Sequence, residues 1–203
     1  MRLGILISGR GSNFEAIANS IARGNLDAGI AIVISNRANA AGLEIARERG
    51  LPVRVIPSQG LDREAYDALL VDELRTHEVE LVCLAGFMRL LSAHFVRAFP
   101  DRVLNIHPSL LPAFPGLDAQ RQAFEHGVKI TGCTVHFVDE FLDSGPILMQ
   151  SAVPVLDSDT VETLSARILA QEHAIYSKSI QLVAEGRVTI EGRRVRIREE
   201  DVS

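Results

Sequence analysis

The first part of the chain alternates short apolar runs with segments of helical periodicity, and this alternation limits the fold more than any other feature. The runs that indicate buried strands are Leu3–Ile7, Ile30–Ile34, Val53–Ile56 and Leu81–Ala85. The helical segments between them are Phe14–Ile21, Ala40–Arg49 and a long helix from Asp62 to about His77. Strands that alternate with helices are typical of a parallel sheet with crossover helices. The sequence therefore predicts an α/β protein.

The second part of the chain predicts a change in strand direction. The strands expected here are Val103–His107, Lys129–Phe137 and Ile147–Val155, with a short helix at Asp118–Glu125 before the second. The last two strands form a hairpin with a long tip, so part of the sheet is expected to be antiparallel. The capping-box spacing of Asp159–Glu162 predicts a helix that starts there and runs to about Glu185. A small hairpin follows at Arg187–Ile197, and we predict a single domain over residues 1–203.

Composition and charge narrow the class of protein. A hydrophobic content of 47% supplies a full core, and the formal charge of -5 argues against nucleic-acid binding, which needs concentrated Lys and Arg. No segment reaches the roughly 20 apolar residues of a membrane span. Cys83 and Cys133 lie in separate apolar runs, which indicates reduced core residues of a cytoplasmic protein. We therefore expect small-molecule substrates and no nucleic-acid or membrane partner.

A glycine-rich turn, Gly9–Asn13, follows the first strand and precedes a helix. Free backbone N–H groups and the helix dipole make such a turn a binding site for phosphate. The motif lacks the third glycine of dinucleotide-binding proteins and the lysine of a P-loop. Two interpretations stay open: an anion cradle with Ser12 and Asn13, or glycines that only shape a tight turn.

Two polar side chains lie at the end of another apolar strand, Val103–His107. Alternation places Asn105 and His107 on one face of the chain, about 7 Å apart. Pro108, Pro112 and Pro115 stiffen the loop that follows, because proline fixes φ. An amide and an imidazole at the tip of an apolar strand are hard to explain by packing. They therefore favour a functional site.

Three other segments contribute candidates. The loop Gly86–Ser92 is apolar with one arginine and suits a flat, partly aromatic ligand, although Met88, Leu90 and Leu91 could equally be core residues. Asp143 lies just before Gly145–Pro146, where we expect a sharp turn back toward the core. Glu172 shares the apolar face of its helix, so it needs a partner or a ligand amine or hydroxyl.

The sequence lacks the G-x-S-x-G pattern of a nucleophilic serine and any His, Cys or Asp spacing typical of a metal site. The remaining chemistry is direct attack by a substrate nucleophile on a carbonyl. Asn105 and His107 would stabilise the oxyanion. Asp143 would keep the imidazole charged and relay protons.

Several blocks of the chain resemble the formyltetrahydrofolate-dependent formyltransferases. They are Leu104–Pro112, Pro115–Gly116 and Leu142–Pro146, and, closer to the members that act on glycinamide ribonucleotide, Ile7–Asn13, Ala85–Arg89 and Gln171–Tyr176. The resemblance covers nearly the whole chain. It implies a single doubly wound α/β domain with a mostly parallel sheet. It also implies transfer of a formyl group from 10-formyltetrahydrofolate to the amine of glycinamide ribonucleotide in purine biosynthesis, by direct amine attack through a tetrahedral intermediate.

The resemblance also implies roles for individual residues. The catalytic residues would be Asn105, His107 and Asp143. The ribonucleotide would be bound by Gly11, Ser12 and Asn13 at its phosphate and by Glu172 at its glycinamide end. The folate would contact Arg63, Met88, Arg89, Leu90, Leu91, Asn105, Glu140, Phe141, Leu142, Asp143 and Ser144, with Arg63 near its glutamate tail. No metal is expected, and the protein would act as a monomer or homodimer.

One position departs from the family pattern. Many relatives carry a histidine where this chain has Asp118, so no role is transferred to that residue. Three alternative functions remain. A formyltetrahydrofolate hydrolase would use water as nucleophile but would carry a regulatory domain before the first strand. A methionyl-tRNA formyltransferase would need a further domain and a basic surface. A non-catalytic nucleotide-binding module would use only the glycine-rich turn.

Overall fold

A computed structural model describes residues 1–199, and residues 200–203 of the predicted domain lie outside the described residues. The strands are β1 (Arg2–Ile7), β2 (Gly29–Ser35), β3 (Val53–Val55), β4 (Leu81–Leu84), β5 (Val103–His107), β6 (Ile130–Phe137), β7 (Ile147–Pro154), β8 (Val188–Glu191) and β9 (Arg194–Ile197). The helices are α1 (Ser12–Ala22), α2 (Ala41–Glu48), α3 (Arg63–Thr76), α4 (Ala93–Ala98), α5 (Ala119–His126) and α6 (Val161–Ala184).

The main sheet has seven strands in the order β3-β2-β1-β4-β5-β6-β7. Strands β1 to β5 pair in parallel, whereas β6 is antiparallel to both β5 and β7. The middle strand, β4, is buried along its whole length, as its apolar sequence predicts. The predicted antiparallel turn of the sheet and the terminal β8–β9 hairpin are both confirmed.

Helices cover both faces of the sheet, so the doubly wound prediction is confirmed. Successive side chains of a strand point to opposite faces. In β1, Ile5 and Ile7 therefore pack in the core under α1, α2 and α6, and Leu6 packs in the core under α3 and α4. On the first face, the hydroxyl of Tyr176 donates to the carbonyls of Leu84 and Leu104, 3.1 and 3.0 Å away. This buried tyrosine ties α6 to β4 and β5, close to the candidate site.

Two local details differ from the sequence prediction. The predicted start of the last helix at Asp159 is wrong, because Thr160 is the N-cap and completes a capping box with Thr163. Asp159 instead binds Arg167, with nitrogen and oxygen 2.7 Å apart. Helix α4 was not predicted. Within residues 1–199, no helix is both long and apolar enough to cross a membrane.

Candidate active site

The turn between β1 and α1 has the backbone geometry of an anion cradle. Gly11 precedes the helix with φ 76°, in the left-handed region that glycine adopts without strain. A Cβ atom at this position would lie 2.8 Å from the Cα of Gly42, so the turn also has no room for a side chain. Ser12 begins α1, and the first N–H groups of a helix have no partner within the helix. These groups are available to a ligand at the end of β1.

The same turn is joined to α6 by a buried polar contact. Asn13 donates from Nδ2 to Oε2 of Glu172 over 2.7 Å, and both residues are buried. Burial raises the pKa of the Glu172 carboxyl, and the hydrogen bond from Asn13 offsets part of that effect. The expectation that Glu172 has a partner is confirmed. Its carboxyl sits beside the predicted phosphate cradle.

The end of β5 carries an imidazole–carboxylate pair. Nδ1 of His107 lies 3.4 Å from Oδ2 of Asp143, and both side chains are more than nine-tenths buried. The other ring nitrogen, Nε2, lies 2.9 Å from the carbonyl oxygen of Phe114. A neutral imidazole has one N–H, whereas here both ring nitrogens face oxygen acceptors. Both ring nitrogens of His107 are therefore held by oxygen atoms, one from a carboxylate and one from the backbone.

Asp143 is held by the backbone of two loops. Its own φ is 47°, a left-handed conformation that Asp tolerates better than most residues. Its Oδ2 atom also accepts from the backbone N–H of Gly116 over 2.8 Å. The expected sharp turn before Gly145 is therefore present, and it directs the carboxylate at His107. The loop after β5 and the loop after β6 meet at this one oxygen.

A second histidine, His136, belongs to the site, and no pattern in the sequence singles it out. It lies opposite Asn105 in the β5–β6 ladder, and its Nε2 is 3.1 Å from Nδ2 of Asn105. Its Nδ1 faces the carbonyl of Phe137 at 2.9 Å, and burial lowers the pKa of this imidazole. A neutral ring that donates from Nδ1 accepts the amide proton at Nε2. His136 thus orients the Asn105 amide.

The loop after β4 divides into core and exposed residues. Leu91 is buried, which confirms the core interpretation for this residue, whereas Met88 and Leu90 are 61% and 48% exposed. The Arg89 guanidinium lies 4.6 Å from the centroid of the Tyr66 ring in α3. Arg63 is exposed at the first position of α3, one turn before Tyr66. Met88, Leu90 and Arg63 are therefore on the surface, near the carboxyl ends of the parallel strands.

The loop between β6 and β7 adds further exposed apolar surface. Phe141 and Leu142 are 75% and 51% exposed. Glu140 binds Arg97 of α4 at 3.1 Å, and the carbonyl of Ser144 accepts from Arg193 of the β8–β9 hairpin at 2.8 Å. The loop that carries Asp143 is thus held from two sides, and one contact comes from the terminal hairpin.

Two further observations concern Asp118 and metal-binding side chains. Asp118 is the N-cap of α5 with φ 55°, and its side chain makes no capping hydrogen bond. The structure gives it no contact with His107 or Asp143 that would suggest a role. In residues 1–199 no group of three or more His, Cys, Asp and Glu side chains is placed to hold a metal ion.

The fold and the site together define a doubly wound α/β protein with an imidazole–carboxylate pair at the end of a central strand. The formyl transferase family matches residues 1–180. The chain is 44% identical to phosphoribosylglycinamide formyltransferase of Escherichia coli, over 93% of this chain and 89% of that protein. The crystal structure of glycinamide ribonucleotide transformylase 1 from Symbiobacterium toebii superposes with a TM-score of 0.96, at 56% identity over 98% of this chain and 94% of that one.

A longer relative shows the same region within a larger protein. The trifunctional purine biosynthetic protein adenosine-3 of Bos taurus is 49% identical over 93% of this chain, and the match spans 19% of that protein. The chain therefore spans about one fifth of the length of this relative. On the family match and these identities, the chain belongs to the formyl transferase family.

Proposed function

We propose that the chain transfers the formyl group of 10-formyltetrahydrofolate to the amine of glycinamide ribonucleotide, the phosphoribosylglycinamide formyltransferase reaction of purine biosynthesis. The observation that carries this proposal is the buried His107–Asp143 pair, 3.4 Å apart. It stands near a helix N-terminus suited to phosphate and near exposed apolar loops suited to a folate. The names of two similar proteins, from Escherichia coli and Symbiobacterium toebii, support the choice of substrates.

The ribonucleotide is proposed to bind at the start of α1. Backbone N–H groups at Gly11, Ser12 and Asn13 would hold its phosphate, with the Ser12 hydroxyl as an added donor. The Glu172 carboxylate would accept a hydrogen bond from the glycinamide amine. This contact would stabilise the charged form of the carboxyl group, which burial disfavours. The existing bond from Asn13 to Glu172 supports this arrangement, because it connects the two ends of the proposed subsite.

The folate is proposed to lie against the loops after β4 and β6. Met88 and Leu90 on one side, and Phe141 and Leu142 on the other, expose apolar side chains that fit a flat ring system. The remaining proposed contacts are Arg89, Leu91, Asn105, Glu140, Asp143 and Ser144, with Arg63 on the surface for the glutamate tail.

The chemistry proposed for these residues needs no covalent intermediate on the protein. The amine attacks the formyl carbon, the carbon–N10 bond breaks, and one proton moves from the amine to N10. Charge on the formyl oxygen would be stabilised by the amide of Asn105 and the cationic ring of His107. Asp143 would balance the charge of His107 and receive or return the proton in transit. His136 would hold Asn105 in place.

The proposed role of His107 requires one movement. Its Nε2 atom faces the Phe114 carbonyl, and the Ser109 hydroxyl donates to that carbonyl as well, over 3.2 Å. A formyl oxygen that takes this position must replace the Phe114 carbonyl as the acceptor. The loop after β5 would therefore shift when both substrates bind.

The proposal also covers the domain organisation, cellular location, oligomeric state and partners of the protein. We propose one formyltransferase domain that works in the cytoplasm on small molecules, as a monomer or homodimer, without a nucleic-acid or membrane partner. Two free, buried cysteines and a net charge of -5 support this setting.

The deciding experiment is a two-substrate assay. Purified protein should release tetrahydrofolate from 10-formyltetrahydrofolate only when glycinamide ribonucleotide is present, with equal formation of formylated product. Release at the same rate without the amine would instead identify a hydrolase. Formylation of methionyl-tRNA would identify a methionyl-tRNA formyltransferase, and nucleotide binding without any release would identify a non-catalytic binding module. Each of these three results would overturn the proposal.

A further inference from the structure

The loop after β4 keeps two apolar side chains outward although their neighbours are buried. Phe87 and Leu91 are 9% and 7% exposed, whereas Met88 and Leu90 between them are 61% and 48% exposed. Apolar side chains gain free energy when they leave water. An unrestrained loop of this composition would therefore reduce the exposure of its apolar residues. Something must fix the backbone so that alternate residues stay on the surface.

The first restraint is Ser8, which is 2% exposed at the end of β1. Its hydroxyl accepts from the backbone N–H of Met88 over 2.8 Å and donates to Oδ1 of Asn36 over 2.7 Å. Its own backbone N–H donates to the carbonyl of Gly86 over 3.1 Å. Two of these hydrogen bonds, to Gly86 and Met88, therefore fix the start of the loop, and the third, to Asn36, orients the Ser8 hydroxyl.

The second restraint is Asp67 of α3, which is fully buried. Its Oδ2 accepts from the backbone N–H of Ser92 over 2.5 Å, at the point where the loop ends and α4 begins. A buried carboxylate is costly unless it is paired with donors or a positive charge. Its second oxygen, Oδ1, has no hydrogen-bond partner among the described residues, so the Ser92 N–H is the donor that holds this carboxylate. Asp67 therefore holds the far end of the loop.

We propose that Ser8 and Asp67 are positioning residues for the folate. They hold the loop 86–92 at its two ends so that Met88 and Leu90 stay turned toward the ligand. Neither residue needs to touch a substrate, and the inference rests on the proposed function. Their removal should weaken folate binding more than ribonucleotide binding, because Gly11–Asn13 and Glu172 lie outside this loop.

The test compares three variants with one matched control. Ser8→Ala and Asp67→Ala should each raise KM for 10-formyltetrahydrofolate about threefold to tenfold, with KM for glycinamide ribonucleotide within about twofold of wild type. Asp67→Asn keeps an acceptor for the Ser92 N–H and should recover most of the loss. The control is Ser179→Ala, since the Ser179 hydroxyl is buried without a hydrogen-bond partner among the described residues. This control should change neither constant.

Amide hydrogen exchange on the ligand-free protein gives a readout independent of activity. The peptide covering residues 86–92 should exchange faster in Ser8→Ala and Asp67→Ala than in wild type and Ser179→Ala. An active wild type whose variants keep its folate KM overturns the positioning role and leaves the proposed function intact. A wild type that transfers no formyl group in the two-substrate assay overturns the proposed function itself, whatever the exchange rates are.

Discussion

The end of β1 and the end of β5 both present polar groups at the same edge of the sheet, but they are built differently. At β1, the chain supplies mainly backbone: a left-handed Gly11 with no room for a Cβ, then the first N–H groups of α1. At β5, side chains from distant segments converge, with His107 against Asp143 and Asn105 against His136. Backbone groups can bind a phosphate but do not act as general acids or bases near neutral pH, whereas an imidazole and a carboxylate do. The first region is suited to binding and the second to chemistry.

This difference predicts that substitutions in the two regions change different kinetic constants. Substitutions at Gly11–Asn13 and at their partner Glu172 should act mainly on KM for the ribonucleotide. Substitutions at the end of β5 should act mainly on kcat. A residue that moves both constants equally would show that the two regions are not separate in function.

The largest effect is expected at Asp143. Asp143→Asn keeps the shape and tolerates the left-handed backbone but removes the charge that faces His107. We expect kcat to fall about a hundredfold or more, with KM for the ribonucleotide nearly unchanged. Steady-state kinetics in both substrates measure this. Asp139→Asn in the same loop is the control, and a kcat for Asp143→Asn close to that of Asp139→Asn would refute the role of Asp143.

The next effect is expected at Glu172. Glu172→Gln should raise KM for glycinamide ribonucleotide by about tenfold to a hundredfold, because a charge-assisted contact to the amine is lost. The kcat at saturating ribonucleotide should change much less. If kcat falls as strongly as it does in Asp143→Asn, Glu172 belongs with the chemistry and the comparison fails.

The stability of the same variant should depend on pH. Burial raises the pKa of Glu172 above its ordinary value of 4.5, so the folded state binds this proton more tightly than the unfolded state does. Wild type is therefore most stable, relative to the variant, below that ordinary value, and it loses this advantage as pH rises through the raised pKa. Urea unfolding across that pH range should show that the free energy of unfolding of wild type, minus that of Glu172→Gln, falls as pH rises. A difference that is constant, or that moves in favour of wild type as pH rises, contradicts this.

A smaller effect is expected at Gly11. Gly11→Ala should lower the free energy of unfolding by at least about 1–2 kcal/mol, because a non-glycine residue is strained at φ 76°. It should also raise KM for the ribonucleotide, because the new Cβ displaces the turn from Gly42. Gly24→Ala is the matched control: its φ is also positive, but its Cβ would meet no atom within 4 Å. Equal KM values for the two variants would argue against a cradle at Gly11.

The smallest effect is expected at Arg193, which donates to the carbonyl of Ser144 next to Asp143. This hydrogen bond is exposed, so Arg193→Ala should lower kcat by only about twofold. Arg194→Ala, one residue further along the same hairpin, is the control and should have no effect. An effect on ribonucleotide KM instead of kcat would break the division between the two regions.

Most of the fold could be predicted from sequence because each buried strand is a short apolar run and each long helix has a polar face. Helix α4 is not predictable in this way because six residues contain too few turns for a clear periodicity. The start of α6 is ambiguous in the sequence because Asp159 and Thr160 are both good capping residues, and only the structure shows which one caps.

The candidate site also contains residues that local sequence patterns indicate and residues that only the structure reveals. Asn105, His107 and Asp143 stood out because polar residues interrupt apolar or glycine-proline segments. His136 did not stand out, because a histidine within an alternating strand looks like any other polar residue. Its importance depends on the register that places it opposite Asn105, and pairing registers between distant strands are not encoded in local patterns. Similarly, only the structure separates buried Leu91 from exposed Met88.

The hydrogen bond between Asn13 and Glu172 joins residues that are 159 positions apart. Such long-range contacts form late, because the entropy of closing the intervening chain must be overcome first. During synthesis, the proposed ribonucleotide subsite cannot exist until α6 has left the ribosome and packed against α1. Partly made chains would therefore be unable to formylate anything, even with β1 to β5 in place. In refolding experiments, recovery of activity should report completion of the whole domain, whereas helix content recovers earlier.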